Sequence, residues 1–84
     1  HNVLVIESKA FAIREDRINL MPNGNNKVNA IEFLGANVKI NVTYEKSGNL
    51  TVSQSDVLFA KSKIKVGDTV KVSWNKKNQL ELKK

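Results

Sequence analysis

Apolar and polar residues alternate along most of this chain with a period of two residues. In the segment NVKINVTYE (37–45), Val38, Ile40, Val42 and Tyr44 fall on one side and polar residues on the other. Successive side chains of a β-strand point to opposite faces of the sheet, so this alternation is typical of a half-buried strand. We therefore predict a strand here whose apolar side, Tyr44 included, faces inward.

The same period recurs in further short segments separated by turn residues. Strands are predicted in NVLVIE (2–7), AFAI (10–13), KVNAIEFLG (27–35), NLTVSQ (49–54), DTVKVSW (68–74) and QLELK (79–83). Turns are predicted at Ser8–Lys9, MPNGNN (21–26), Gly35, KSGN (46–49), VGD (66–68) and NKKN (75–78). Positions expected to point inward are Val28, Ala30, Ile31, Phe33, Leu34, Leu50, Val52, Val70, Val72, Trp74, Leu80 and Leu82.

Six or seven short strands at this spacing predict an all-β fold, a small OB-like barrel with mostly antiparallel strands. Gly35 follows the Phe33–Leu34 pair, and a glycine there allows the sharp bend or bulge that a closing barrel needs. The segment SQSDVLFAKSKI (53–64) fits a helical turn or a packed loop equally well.

Length and composition limit the possible functions. With 84 residues the chain is expected to form a single domain over 1–84. It contains no cysteine, which excludes thiol nucleophiles and thiolate metal sites and fits a reducing compartment. The only histidine is His1, which we interpret as a remnant of an expression tag. Because the chain starts inside a strand-like run and without Met, we expect it to be a fragment of a longer protein.

Positive charge is concentrated in the second half of the chain. Residues 1–42 carry five basic and four acidic groups, whereas residues 43–84 carry nine basic and four acidic groups. The excess comes from Lys61, Lys63, Lys65, Lys71, Lys76, Lys77, Lys83 and Lys84. Such a surface can attract an anionic partner. It can equally be a solvated lysine face that keeps strand edges from associating, and this is the interpretation we favour.

The segment REDR (14–17) is the one candidate for acid–base chemistry. Glu15 and Asp16 are adjacent, so in an extended chain they point to opposite faces and cannot act as a pair. Arg14 and Asp16 are two residues apart and can lie on one face as an ion pair, which favours a structural corner. We predict no catalytic, cofactor-binding or metal-binding residue. With Phe33, Tyr44 and Trp74 assigned to the core, a platform for stacking nucleic-acid bases is also expected to be missing.

Three motifs together resemble a known family. AIREDRINL, FLGANVKINVTYEKSGNLTVSQ and KIKVGDTVKVSW occur in the order found in the transport-associated OB (TOBE) domain. This domain lies at the C-terminus of the ATP-binding subunits of ABC importers, and the subgroup resembled is that of polyamine and ferric-iron importers. Residues that match family landmarks are Arg14, Asp16, Phe33, Leu34, Gly35, Val66, Gly67, Asp68, Val70 and Trp74. Glu15 replaces the usual proline, Asp16 replaces a glutamate, and Asn75–Lys76 replace a common Asp-Pro pair.

The resemblance implies a non-catalytic regulatory and dimerisation domain, for polyamine-type uptake rather than ferric iron. ATP and magnesium would bind an N-terminal domain that these residues do not include. The implied partners are that ATPase domain, a second copy of the subunit in a homodimer and the permease subunits, at the cytoplasmic face of the membrane; no nucleic acid is expected. Two alternatives remain open at this point: a free-standing OB-like module that binds nucleic acid, and a small barrel that binds an oxyanion or another small ligand.

Overall fold

The computed structural model describes residues 2–6, 9–44 and 48–82, and it confirms the all-β, OB-like fold. Within these residues there are seven strands, one α-helix and two short 3-10 turns. The strands are β1 (Asn2–Ile6), β2 (Lys9–Ile13), β3 (Ile18–Leu34), β4 (Asn37–Tyr44), β5 (Gly48–Ser55), β6 (Thr69–Trp74) and β7 (Leu80–Glu81). The helix α1 covers Asp56–Ser62, and the 3-10 turns cover Glu15–Arg17 and Lys76–Asn78. Of the turn predicted at Ser8–Lys9, Ser8 lies outside the described residues and Lys9 begins β2.

All strand pairings are antiparallel and form two sheets. One sheet has the order β5-β4-β3-β6 and the other has the order β1-β2-β7. Strand β3 is 17 residues long and pairs with β6 along its first part and with β4 along its second part. One long strand therefore connects the two halves of the curled four-stranded sheet.

The turn predicted at MPNGNN (21–26) is wrong, because β3 runs through this segment. Pro22 and Asn26 both lie opposite Val70 of β6, so the three residues between them form a bulge. A Cβ atom on Gly24 would collide with backbone atoms of Val70 and Lys71. The bulge thus bends the strand over β6 without ending it, and the close approach requires glycine at this position.

A second irregularity, at Asn29, reverses the alternation along β3. Val28 pairs with Val42, but Ala30 pairs with Asn41, so Asn29 is an extra residue. Val28 is buried, whereas Ala30 is exposed. The inward assignment of Ala30 is therefore wrong, because a one-residue insertion transfers the following side chains to the opposite face.

The core lies on the inner face of the curled four-stranded sheet, to which eight of its nine buried residues belong, and most of these residues were predicted to point inward. Its buried members are Ile13, Ile18, Val28, Val38, Ile40, Val42, Leu50, Val52 and Val70. Leu80 and Leu82, however, are 68% and 43% exposed, so their inward assignment is wrong. Strand β7 has only two residues and lies at the edge of the smaller sheet, where the core does not reach.

Two buried polar side chains interrupt this core. The Asn2 amide donates to the Thr51 carbonyl at 2.6 Å, and its Oδ1 accepts from the Thr51 N–H at 2.7 Å. This pair of bonds attaches β1 to the outer edge of β5 and links the two sheets. The Oε1 atom of Gln54 is buried and accepts no hydrogen bond from any described residue.

The uncertain segment 53–64 contains helix α1. The Ser55 hydroxyl accepts from the Leu58 N–H at 3.1 Å and caps the first turn. The Asp56 N–H donates to the Ala36 carbonyl at 2.9 Å, which joins the start of the helix to the β3–β4 hairpin. The helix ends at Ser62, and the capping residue that follows, Lys63, has a left-handed φ of 56°.

The bulge in β3 generates a stability prediction. Gly24→Ala places a Cβ against the β6 backbone, and such overpacking should cost about 1–3 kcal/mol of unfolding free energy. Gly35→Ala is the matched control, because a Cβ at Gly35 meets no atom within 4 Å and only its positive φ opposes the change. Urea denaturation should find Gly24→Ala the less stable variant. A Gly24→Ala variant as stable as wild type would contradict the close packing of Gly24 on β6.

Candidate functional site

The REDR segment forms a tight corner between β2 and β3. The Arg14 guanidinium donates to Oδ2 of Asp16 at 3.0 Å, and the Arg17 N–H donates to the Arg14 carbonyl at 3.0 Å. The Arg14 and Asp16 side chains are 61% and 49% exposed. The ion pair expected from the two-residue spacing is present, and it lies in solvent.

The two adjacent carboxylates of this corner have different cationic neighbours. Asp16 pairs with Arg14, whereas Oε1 of Glu15 lies 3.4 Å from the Lys39 ammonium on β4. General acid–base catalysis requires two positioned groups in a water-poor cleft. The corner instead places each carboxylate beside its own cation at the surface, which is a structural arrangement.

The FLG motif forms the β3–β4 hairpin. Leu34 pairs with Asn37, so Gly35 and Ala36 make a two-residue loop. Gly35 has a φ of 76°, as expected for glycine at the first position of a type II′ turn. The sharp bend or bulge predicted at Gly35 is therefore the turn of this hairpin.

The inward assignment of Phe33 and Leu34 is wrong, because their side chains are 69% and 48% exposed. Phe33 pairs with the buried Val38, but it lies near the end of the strand, where the sheet extends past the core. Its ring contacts that of Phe59 of α1 edge-on, with centroids 5.5 Å apart. These two aromatic rings therefore join the hairpin to the helix at the protein surface.

The VGD motif attaches the loop after α1 to the middle of β3. Asp68 N–H donates to the Lys65 carbonyl, and Gly67 has the φ of 95° that a type II turn requires. The Gly67 N–H donates to the Val28 carbonyl, and the Val28 N–H donates to the Asp68 carbonyl, both at 2.8 Å. Asp68 Oδ2 also accepts from the Lys65 N–H at 2.9 Å. Gly67 and Asp68 thus hold the start of β6 against β3.

Trp74 ends β6 and is half-buried, as is Tyr44 at the end of β4. The two rings meet edge-on with centroids 5.7 Å apart. The Trp74 Nε1–H donates to Oε1 of Gln79 at 2.8 Å, which fixes the orientation of the indole. The pair packs against the core cluster and closes one side of it.

The landmark residues are distributed over four places: the corner, the hairpin, the turn before β6 and the end of β6. The structure brings Arg14 together with Asp16 and Gly67 together with Asp68, and it brings neither pair to the hairpin residues. No group of three or more potential metal-ligating side chains occurs in the described part of the chain. Among the residues placed by the structure, no helix is long and apolar enough to cross a membrane.

The sequence analysis did not predict a cleft beside the β3 bulge. A cleft of about 410 Å³ lies between the β3 bulge and the loop after α1, and Asn23, Lys63, Ile64 and Asp68 contribute to its lining. We refer to it as the Lys63 cleft. The Asn-Gly pair at 23–24 indicates an unusual backbone, but only the tertiary structure brings Asn23 to the same cleft as Lys63.

The fold and the structural motifs define an OB-like barrel domain. The family model for the TOBE domain matches residues 11–80, which is most of the chain, and the chain belongs to this family. TOBE domains are non-catalytic and are associated with the C-terminal regulatory modules of ABC transporter ATPases. No curated protein and no solved structure matches the chain.

The corner and the hairpin can be compared by mutation. Gly35→Val forces a β-branched residue into a left-handed conformation and should cost about 1–3 kcal/mol. Arg14→Ala removes an exposed ion pair, for which about 0–1 kcal/mol is expected. Lys61→Ala, a surface control, should be close to wild type. The unfolding free energies are measured by denaturant melts. A Gly35→Val variant as stable as Lys61→Ala would contradict the structural role of the hairpin glycine.

Proposed function

We propose that this TOBE domain is the C-terminal regulatory and dimerisation domain of the ATP-binding subunit of an ABC importer. Among importers, we favour polyamine-type uptake over ferric-iron uptake. The observation that carries the proposal is the TOBE family match over residues 11–80. The order of the REDR, FLG and VGD motifs supports the importer subgroup.

Two structural features are compatible with a regulatory role. The landmark residues hold turns and strand junctions in place, and the Phe33–Phe59 contact leaves apolar side chains at the surface of the hairpin and α1. Val57 and Leu58 of α1 are also exposed, at 61% and 52%. Such surfaces are suited to contacts with another domain or subunit.

The proposed partners follow from the importer role. They are the subunit's own ATPase domain, a second copy of the subunit and the permease subunits. This places the domain at the cytoplasmic face of the membrane, held there through the transporter complex. ATP and magnesium would bind only to the ATPase domain.

The importer role predicts that ATP binds to the full-length subunit and not to this chain alone. These 84 residues contain no glycine-rich phosphate-binding loop ending in a Lys-Ser/Thr pair, which importer ATPases need to hold the nucleotide phosphates. Calorimetric titration with Mg-ATP should give no heat of binding for this chain, whereas the full-length subunit, as positive control, should bind. Micromolar ATP binding by the chain alone would contradict the proposal, as would a parent gene without an upstream ATPase domain.

The basic second half allows a test against the nucleic-acid alternative. The described lysines of this half, such as Lys61, Lys65, Lys71 and Lys76, are exposed, as expected for a solvated face. Exposed lysines by themselves support only non-specific affinity. Of the three aromatic residues first assigned to the core, Phe33 is largely exposed and Tyr44 and Trp74 are half-buried, and one exposed ring does not make a platform on which successive bases stack.

We therefore expect single-stranded oligonucleotides to bind weakly, with Kd values of about 10⁻⁴–10⁻⁶ M at physiological salt, and to be released as salt increases. Fluorescence anisotropy with a labelled oligonucleotide measures this, and Lys71→Ala should weaken binding to all sequences alike. Tight binding that persists at high salt and is lost in Phe59→Ala or Tyr44→Ala would favour the nucleic-acid-binding module instead.

A further inference from the structure

The Lys63 cleft is lined by both apolar and polar residues. Among the apolar ones are Leu20, Ile64 and Val70, of which Val70 is buried and the other two are half-buried. Among the polar ones are Asn23, Lys63 and Asp68. Its volume of about 410 Å³ is within the size range of small-molecule sites, which commonly combine an apolar surface with a few polar groups.

The walls of this cleft are held in place by the backbone. On one side, Gly24 lies against the β6 backbone and the Asn26 amide donates to the Val70 carbonyl at 3.0 Å. On the other side, the Lys65 N–H donates to Asp68 Oδ2 at 2.9 Å. Both walls are thereby fixed before any ligand arrives, which lowers the entropic cost of binding.

Two residues in uncommon backbone conformations lie in these walls. Asn23 has a φ of 64° and Lys63 has a φ of 56°, and they are the only non-glycine residues with positive φ in the described ranges. Both contribute to the lining of the same cleft. Uncommon conformations of this kind occur often at ligand sites, and here two of them line one cleft.

The charges of the cleft are opposite and do not neutralise each other. Lys63 and Asp68 both contribute to its lining, yet no ion pair joins them. The hydrogen bond that Asp68 accepts comes from an uncharged backbone N–H, so its carboxylate charge is not cancelled. A ligand with one negative and one positive group can interact with both residues, whereas a simple anion or cation is repelled by one of them.

We propose that the Lys63 cleft binds a small zwitterion, namely a free α-amino acid with an aliphatic side chain. Its carboxylate lies at the Lys63 ammonium, its ammonium lies at the Asp68 carboxylate, and its side chain covers Leu20, Ile64 and Val70. This binding is a further activity that does not depend on the importer role.

Leucine is the probe that tests this proposal. A titration followed by ¹H–¹⁵N correlation spectra should shift the amide signals of Asn23, Lys63, Ile64 and Thr69, with a Kd in the millimolar range. N-Acetyl-leucine lacks the ammonium, leucine amide lacks the carboxylate and glycine lacks the aliphatic side chain. Each should bind at least about tenfold more weakly than leucine, since each loses one of the three contacts.

Protein variants test the two charged residues separately. Lys63→Gln removes the positive charge, and Asp68→Asn removes the negative charge while retaining an oxygen that can accept from the Lys65 N–H. Each should weaken leucine binding at least about tenfold without changing the thermal melt. Lys65→Gln is the matched control, because this neighbouring lysine does not line the cleft, and it should bind leucine like wild type.

Several outcomes would overturn the proposal. They are the absence of shifts at the highest soluble leucine concentration, shifts that map to another surface, and equal binding of leucine, N-acetyl-leucine and leucine amide. The three ligands are compared on the unmodified chain, so this comparison stands even where a variant fails to fold. Failure of the importer role would not alter any of these readouts.

Discussion

The contact between β3 and Val70 of β6 is the constraint on which the rest of the barrel depends. A single strand of 17 residues must pair with β6 and then with β4. A straight strand would form a flat sheet, and a barrel requires local bends. The bulge between Pro22 and Asn26, both opposite Val70, supplies the bend, and Gly24 allows it because no side chain separates the two backbones.

The VGD turn stabilises the same strand from the other side of the bend. Its two backbone hydrogen bonds go to Val28, the buried residue at which β3 changes partner from β6 to β4. The turn must therefore follow α1 at a defined distance to reach this point. The chain resembles its family partly through the spacing of the FLG and VGD motifs. This spacing lets the VGD turn reach Val28 in the curled sheet.

The distribution of these landmarks bears on function. The landmark residues stabilise junctions between strands and turns and do not converge on one place. The described features open to a ligand or partner are the lysine face, the exposed apolar side chains around Phe33 and the Lys63 cleft. A non-catalytic TOBE domain with such surfaces is suited to binding and regulation. The bend in β3 brings Asn23 to the cleft that Lys63 also lines, so the constraint that shapes the barrel also shapes the candidate ligand site.

Local alternation by itself determined the antiparallel strands β4, β5 and β6 and their inward faces, because side-chain direction in a strand depends only on neighbouring residues. The two-residue spacing in REDR likewise predicted the Arg14–Asp16 pair. The tertiary structure alone decided that β3 continues through MPNGNN, that Phe33 and Leu80 are exposed, and that Asn23 and Lys63 line the same cleft. Each of these depends on where the curled sheet ends relative to the core, and curvature arises from pairing between distant segments that no local pattern encodes.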